Sequence, residues 1–229
     1  MTASVQQVRI AVDAESTVSG LAMTPPEPRA AYVLAHGAGA GMGHSFMEAT
    51  AMGLAERGIA TLRYQFPYME RGSKRTDAPA VAHAAVRAAV VRAVELFPTL
   101  PLFAGGKSFG GRMTSQAEAL HGLPGVEGLV FIGFPLHNDG KPSVSRAEHL
   151  RDVGKPMLFV QGTRDKLADF GLIQKVVGEL GPRASLLEIA EADHAFHVLV
   201  RSGRTDAEVL AQVLDGMAGW MLGSRPTSK

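Results

Sequence analysis

The sequence contains no cysteine. That absence removes disulfides, zinc–thiolate sites and a thiol nucleophile from consideration. It fits a reducing compartment, and a cytoplasmic location is the expectation. A charge excess of either sign is also missing: 23 Lys and Arg against 22 Asp and Glu leave a formal net charge of +1. With no basic stripe either, an electrostatic footprint for nucleic acid is not expected. No apolar run approaches the ~18 residues that span a bilayer. Met1 to Ser16 is polar and lacks an apolar h-region, so neither membrane insertion nor a secretory signal is expected. Repeats, linkers and low-complexity segments are absent as well. The 229 residues suffice for one full α/β core, so a single domain over 1–229 is expected, with 224–229 as a frayed tail.

What is present alternates between two periodicities. Val8, Ile10 and Val12 alternate with polar neighbours, as in a half-exposed strand, and Thr17 to Met23 follows as a second. Three prolines at 25, 26 and 28 precede a continuously apolar strand, Ala30 to Ala35. A helix is expected next, with Ser45 and Glu48 in capping-box spacing and Gly58 as its stop. Ile59 to Tyr64 reads as strand. Asp77 and Pro79 open a long helix with the stripe Val86, Val90, Val94 and Phe97. Further strands are expected at Leu100 to Ala104, Gly128 to Ile132, Met157 to Gln161 and Ser185 to Ile189. Helices are expected at Arg112 to His121, near Leu167 to Leu180, and after the capping box Thr205 to Glu208. The last helix presents Leu210, Val213, Met217 and Trp220 on one face. Such alternation predicts an α/β fold whose mostly parallel sheet, about eight strands, is covered on both faces by helices.

Gly106-Lys107-Ser108-Phe109-Gly110-Gly111 stands between one of these strands and a helix. In that context G-x-S-x-G is a nucleophile elbow: a sharp turn forces the serine into a strained conformation, and its neighbours must be small. Two nucleotide-binding readings fail on spacing. A phosphate-binding loop ending in Gly106-Lys107-Ser108 needs glycine at position 101, which is Pro101. The cluster His36 to Gly43 yields no register of G-x-G-x-x-G.

A serine hydroxyl needs a base, and the base needs an orienting acid. Asp165 follows the strand Met157 to Gln161, and His194 follows Ser185 to Ile189. Both are therefore placed on the same sheet edge as Ser108, in the chain order Ser, acid, His. Each has a plainer alternative. Ser108 could be a turn serine, Asp165 could cap the following helix, and His197 competes with His194. Asp193 adjoins His194 too closely to serve as its acid. His36 and His44, which flank the glycine loop, are expected to make structural hydrogen bonds. No residues have metal-ligand spacing, and neither metal nor cofactor is expected. One oxyanion donor should be the amide of Phe109, the residue after the nucleophile.

The segments His36-Gly37-Ala38-Gly39, Phe66-Pro67-Tyr68-Met69-Glu70, Gly106 to Arg112, Gly133-Phe134-Pro135-Leu136-His137 and Asp193-His194 carry a resemblance. The chain resembles small, lidless α/β-hydrolases similar to dienelactone-hydrolase-like proteins. It is closer still to a predicted-hydrolase family that also contains a subunit of a chromatin acetyltransferase (NSL) complex. The resemblance runs from about residue 30 to the last helix. It implies a serine hydrolase acting on a small-molecule acyl substrate, with Ala38 as the second oxyanion donor. Because Ser108 replaces the cysteine of dienelactone hydrolases proper, lactone hydrolysis is not implied. A non-catalytic interaction module on the same fold is the alternative. Oligomeric state is not legible.

Two expectations concern the substrate. Only Gly133 to Lys155 separates two strands where large lids are usually inserted, so the site should be open, with Phe134, Leu136 and His137 on its wall. Those side chains could equally be core. The loop Gln65 to Asp77 carries Arg71, Lys74 and Arg75 against Glu70 and Asp77. Arg71 and Arg75 are candidates for recognising an anionic group, against the plainer reading of a solvated loop.

Overall fold

In the computed structural model, which describes residues 2–223, eight strands form one sheet. They are β1 (Ser4–Ala11), β2 (Thr17–Thr24), β3 (Ala30–Ala35), β4 (Ile59–Tyr64), β5 (Leu102–Lys107), β6 (Val126–Ile132), β7 (Met157–Gly162) and β8 (Ala184–Ile189). The spatial order is β1-β2-β4-β3-β5-β6-β7-β8. The β1–β2 and β2–β4 pairs are antiparallel, and every other pair is parallel. The tail 224–229 lies outside the described residues.

The burial of β3 shows why the sheet needs two covers. All six of its residues are buried, Ala31, Val33 and Ala35 in one apolar cluster and Ala30, Tyr32 and Leu34 in the other. Period-2 alternation thus sends both sets inward, and burying each large side chain contributes roughly 1.5–3 kcal/mol. Helices α1 (Ser45–Glu56) and α6 (Asp206–Met221) cover the second cluster; α3 (Pro79–Leu96), α4 (Phe109–His121) and α5 (Phe170–Leu180) cover the first. The short α2 (Pro67–Glu70) follows β4. Helix α6 starts at the expected capping box, with Thr205 and Glu208 satisfying each other's amides. It buries Val213 and Met217, while Leu210 and Trp220 pack partly against the same core.

Several local expectations are corrected. His44, not Ser45, caps α1, its Nδ1 accepting from Phe46 N. Asp77 does not cap α3; its carboxylate accepts from Tyr68 N and pairs with Arg71 instead. Helix α3 buries Val86, Val90 and a row of alanines, with Phe97 buried at its end, whereas Val94 is 40% exposed. The segment Ser145–Asp152 is a 3-10 helix, and it is the only helical element between β6 and β7 among the described residues. No lid domain is inserted there. Among the described residues, no helix is long and apolar enough to cross a membrane.

The 3-10 segment is joined to α4 by a half-buried polar contact with a pH consequence. Ser115 Oγ donates to Arg112 O and accepts from His149 Nε2 at 2.8 Å. Burial, with Arg112 nearby, pushes the His149 imidazole from its ordinary 6.5 down to about 4. The unfolded chain therefore binds a proton that the folded protein refuses. Stability is full above the unfolded value of 6.5 and is lost as pH falls toward about 4. Burial acts in the same direction on His36 and His83. The expected result is a Tm that falls between pH 6.5 and 4, less steeply in His149→Gln, as read by thermal melts across that range. Equal slopes in the two proteins would show that His149 does not carry this pH dependence.

Candidate active site

The parallel strands place the site before any side chain is considered. From β3 the chain runs through α1 to β4 on one side. It then crosses through α3 to β5 on the other. The carboxyl ends of β3 and β5 therefore diverge at a topological switch point, where open α/β sheets form their crevice. Ser108 stands at that point. It joins β5 to α4 with φ 50° and ψ −114°, a positive-φ conformation that is strained for a residue with a side chain. Such strain persists only where surroundings enforce it. Here Ser108 N donates to Ile132 O at 3.0 Å, and two glycines admit neighbouring backbone. A Cβ on Gly106 would overlap Ala35 O, and one on Gly110 would lie 2.6 Å from both Ala35 O and His36 O.

The loops after β7 and β8 bring the other two residues to this turn. His194 Nε2 is 2.9 Å from Ser108 Oγ, and His194 Nδ1 is 2.7 Å from Asp165 Oδ2. The Asp165 side chain has no solvent exposure, while that of His194 keeps 26%. Asp165 Oδ2 also accepts from Gln161 Nε2 at 2.6 Å, and Oδ1 from Leu167 N at 2.8 Å. Gln161 cannot turn over freely, because its Oε1 accepts from Phe134 N. Strand β7 and the turn after it thus supply both the carboxylate and the amide that orients it. The neighbouring carboxylates and histidine make other contacts. Helix α5 is capped by Asp169 rather than Asp165. His197 pairs with Asp206 on the surface. Asp193 accepts from Ala195 N and His197 N.

The loop after β3 borders the serine. Gly37 lies against Lys107 and Ser108, so that a Cβ there would be 3.8 Å from Ser108 Cβ. Buried His36 fixes the loop: its Nδ1 contacts Gly37 O at 2.8 Å, and its Nε2 accepts from Phe66 N at 3.1 Å. Burial holds the imidazole below its ordinary basicity, which suits this neutral, Nδ1-protonated form. Gly39 N donates to Tyr68 OH. The amides of Ala38 and Phe109 make no hydrogen bond within the described residues. Phe109, as the first residue of α4, has no intrahelical acceptor for its N–H.

The proposed pocket wall is corrected. Phe134 is 1% exposed, packed edge-on against Phe131 and Phe159, and Leu136 is fully buried. They are core and offer a substrate no surface. His137 is buried too; its Nδ1 contacts Asn138 O and its Nε2 accepts from Asp169 N, which ties this loop to the start of α5. Arg71 forms a 2.7 Å ion pair with Asp77, and Arg75 lies at the solvent-facing surface of the loop. Two residues whose contacts the sequence did not reveal touch the site directly: Gln161, and Lys107, whose Nζ donates to His194 O at 2.5 Å. The position of Gln161 at the end of a buried strand, four residues before Asp165, was the available signal. Among the described residues, no group of three His, Cys, Asp or Glu is placed to hold a metal ion.

A strained serine between a parallel strand and a helix, with a carboxylate and a histidine following later strands on the same edge, defines the α/β-hydrolase architecture. The chain belongs to the alpha/beta hydrolase domain family, whose model matches residues 28–222. Solved structures show the same fold at low identity. Dienelactone hydrolase from Anabaena variabilis superposes with a TM-score of 0.77 at 19% identity, covering 97% of this chain and 98% of that one. A lidless α/β serine hydrolase from Xanthomonas campestris gives 0.72 at 19% identity, over 100% and 97% of the two chains. An esterase from Pyrococcus furiosus gives 0.74 at 16% identity, over 95% and 91%.

Proposed function

We propose that the protein is a serine hydrolase that cleaves an ester, thioester or related acyl bond of a small molecule through an acyl-enzyme. The observation carrying this reading is the continuous hydrogen-bonded chain from Ser108 through His194 to Asp165. In the proposed mechanism the Ser108 proton passes to His194 Nε2 as Oγ attacks the carbonyl carbon. The oxyanion is met by the amides of Phe109 and Ala38, both lacking another acceptor among the described residues. Collapse of the intermediate expels the leaving group, which takes the proton from His194. Water, deprotonated by the same imidazole, then releases the acid and restores the serine. Asp165 holds the Nδ1–H tautomer throughout. The test is labelling by a fluorophosphonate probe with peptide mapping, followed by an ester panel of varied acyl length. A probe adduct on another residue, or none, would overturn the reading.

The basic loop after β4 gives a separate expectation. Arg71 already has a carboxylate partner, and the Arg75 guanidinium is in solvent, where a charge contributes only about 0–1 kcal/mol. Arg71→Ala/Arg75→Ala should therefore leave the ratio of kcat/KM for matched neutral and carboxylate-bearing esters within about threefold of wild type. A selective loss for the carboxylate ester would bring this loop into substrate recognition.

A further inference from the structure

We propose that Lys107 is a positioning residue for the base, its ammonium fastening the main chain of the His194 loop to the nucleophile elbow. The inference rests on the serine-hydrolase reading above. Lys107 occupies the variable position directly before Ser108, yet its side chain leads away from the serine and ends at the main chain of the histidine. Its Nζ donates to His194 O at 2.5 Å and lies 5.3 Å and 5.9 Å from the ring centroids of Phe196 and Phe46. Aromatic faces stabilise a desolvated cation without neutralising it. Gly133 leaves room for the ammonium, since a Cβ there would be 2.9 Å from Nζ.

The His194 loop is strained on both sides of the base and is held at Glu191 by Thr163 Oγ1 and at Asp193 by His197 O. Two of its residues with side chains, Glu191 and Phe196, have φ of 60° and 65°. Strain on both sides of the histidine persists only if the surroundings hold the loop. Asp193 ties the following turn through Ala195 N and His197 N, and Arg164 N donates to Ala192 O. At His194 itself, the main-chain N–H makes no hydrogen bond within the described residues, and the carbonyl has Lys107 alone. The base is thus joined to the elbow twice, by imidazole to Ser108 and by carbonyl to Lys107. Asp165 and Asp193 are the charged groups that act on Nζ, and both favour its protonated form, while burial pushes the amine down to about 8.

Lys107→Met keeps the aliphatic stem and removes the donor. With an activated ester, and active sites counted by fluorophosphonate titration, kcat should fall about 100-fold, the scale of a 1 Å misplacement. KM should stay within about twofold, because no substrate contact is lost. In proton NMR spectra, the low-field signal of the proton shared by His194 Nδ1 and Asp165 should broaden in the variant. Lys107→Gln, one bond shorter but still a donor, should show the same changes to a smaller degree, and it stands in if the Met variant does not fold. Wild-type kcat with an unchanged signal would overturn the proposal, as would a loss confined to KM. A wild-type protein inert to probe and esters would instead overturn the serine-hydrolase reading, while the NMR comparison would still test the tether.

Discussion

Ser108→Ala and His194→Ala should each lower kcat by roughly 10⁴- to 10⁶-fold while leaving a folded protein. The size follows from the site acting as one unit: without Oγ there is nothing to acylate, and without Nε2 there is nowhere for the proton to go. The persistence of the fold follows from what each side chain supports. Ser108 contributes one side-chain hydrogen bond, to a partly exposed imidazole, worth about 1 kcal/mol. Its backbone bond to Ile132 O and the Gly106 and Gly110 contacts survive in alanine. Removing His194 leaves the buried Asp165 with two donors, Gln161 Nε2 and Leu167 N. Circular dichroism and thermal melts should resemble wild type, and the Ser108→Ala protein should resist the fluorophosphonate probe. Near-normal ester turnover by Ser108→Ala would end the mechanism proposed here.

The elbow was legible because its chemistry is local. G-x-S-x-G after an apolar run fixes the turn, and the glycines at 106 and 110 give the close backbone approach that such a turn demands. The order of strands, each followed by a residue of the right type, was equally readable. Choices that depend on which neighbour arrives from elsewhere were not. Asp77 has the composition of a helix cap, yet Tyr68 N and Arg71 reach it first. Val94 fits a 3.6-residue stripe, but alanines let α3 approach the sheet along a rotated face, and Val94 is left partly in solvent. Phe134 follows β6 at the catalytic edge, as a pocket residue would, and then turns into the cluster of Phe131 and Phe159. The direction of Lys107 was hidden for the same reason. Alternation along β5 says only that it opposes its neighbours, whereas its acceptor comes from a loop 87 residues away.

Asp165→Asn should cost about 10⁴-fold in kcat through the wrong tautomer of His194, and its Tm should fall, because the buried Gln161 Nε2 is left facing an amide N–H. In the native site Asp165 Oδ2 accepts from both Gln161 Nε2 and His194 Nδ1, and Oδ1 accepts from Leu167 N. All three neighbours donate, which a carboxylate satisfies and an amide cannot. Leu167 N is main chain and keeps the amide oxygen of the substituted side chain on its side, so the new NH2 group must face Gln161 and His194. Gln161 cannot turn to accept, since its Oε1 is held by Phe134 N. The imidazole is the one group able to adapt, by moving its proton from Nδ1 to Nε2. It then presents an N–H to Ser108 Oγ and is no longer a base. The imidazolium form does not relieve this, because both its nitrogens donate. The check is kcat for an activated ester together with a thermal melt. The low-field Nδ1 proton signal should disappear in the variant. An active Asp165→Asn protein would show that the carboxylate does not set the tautomer of His194.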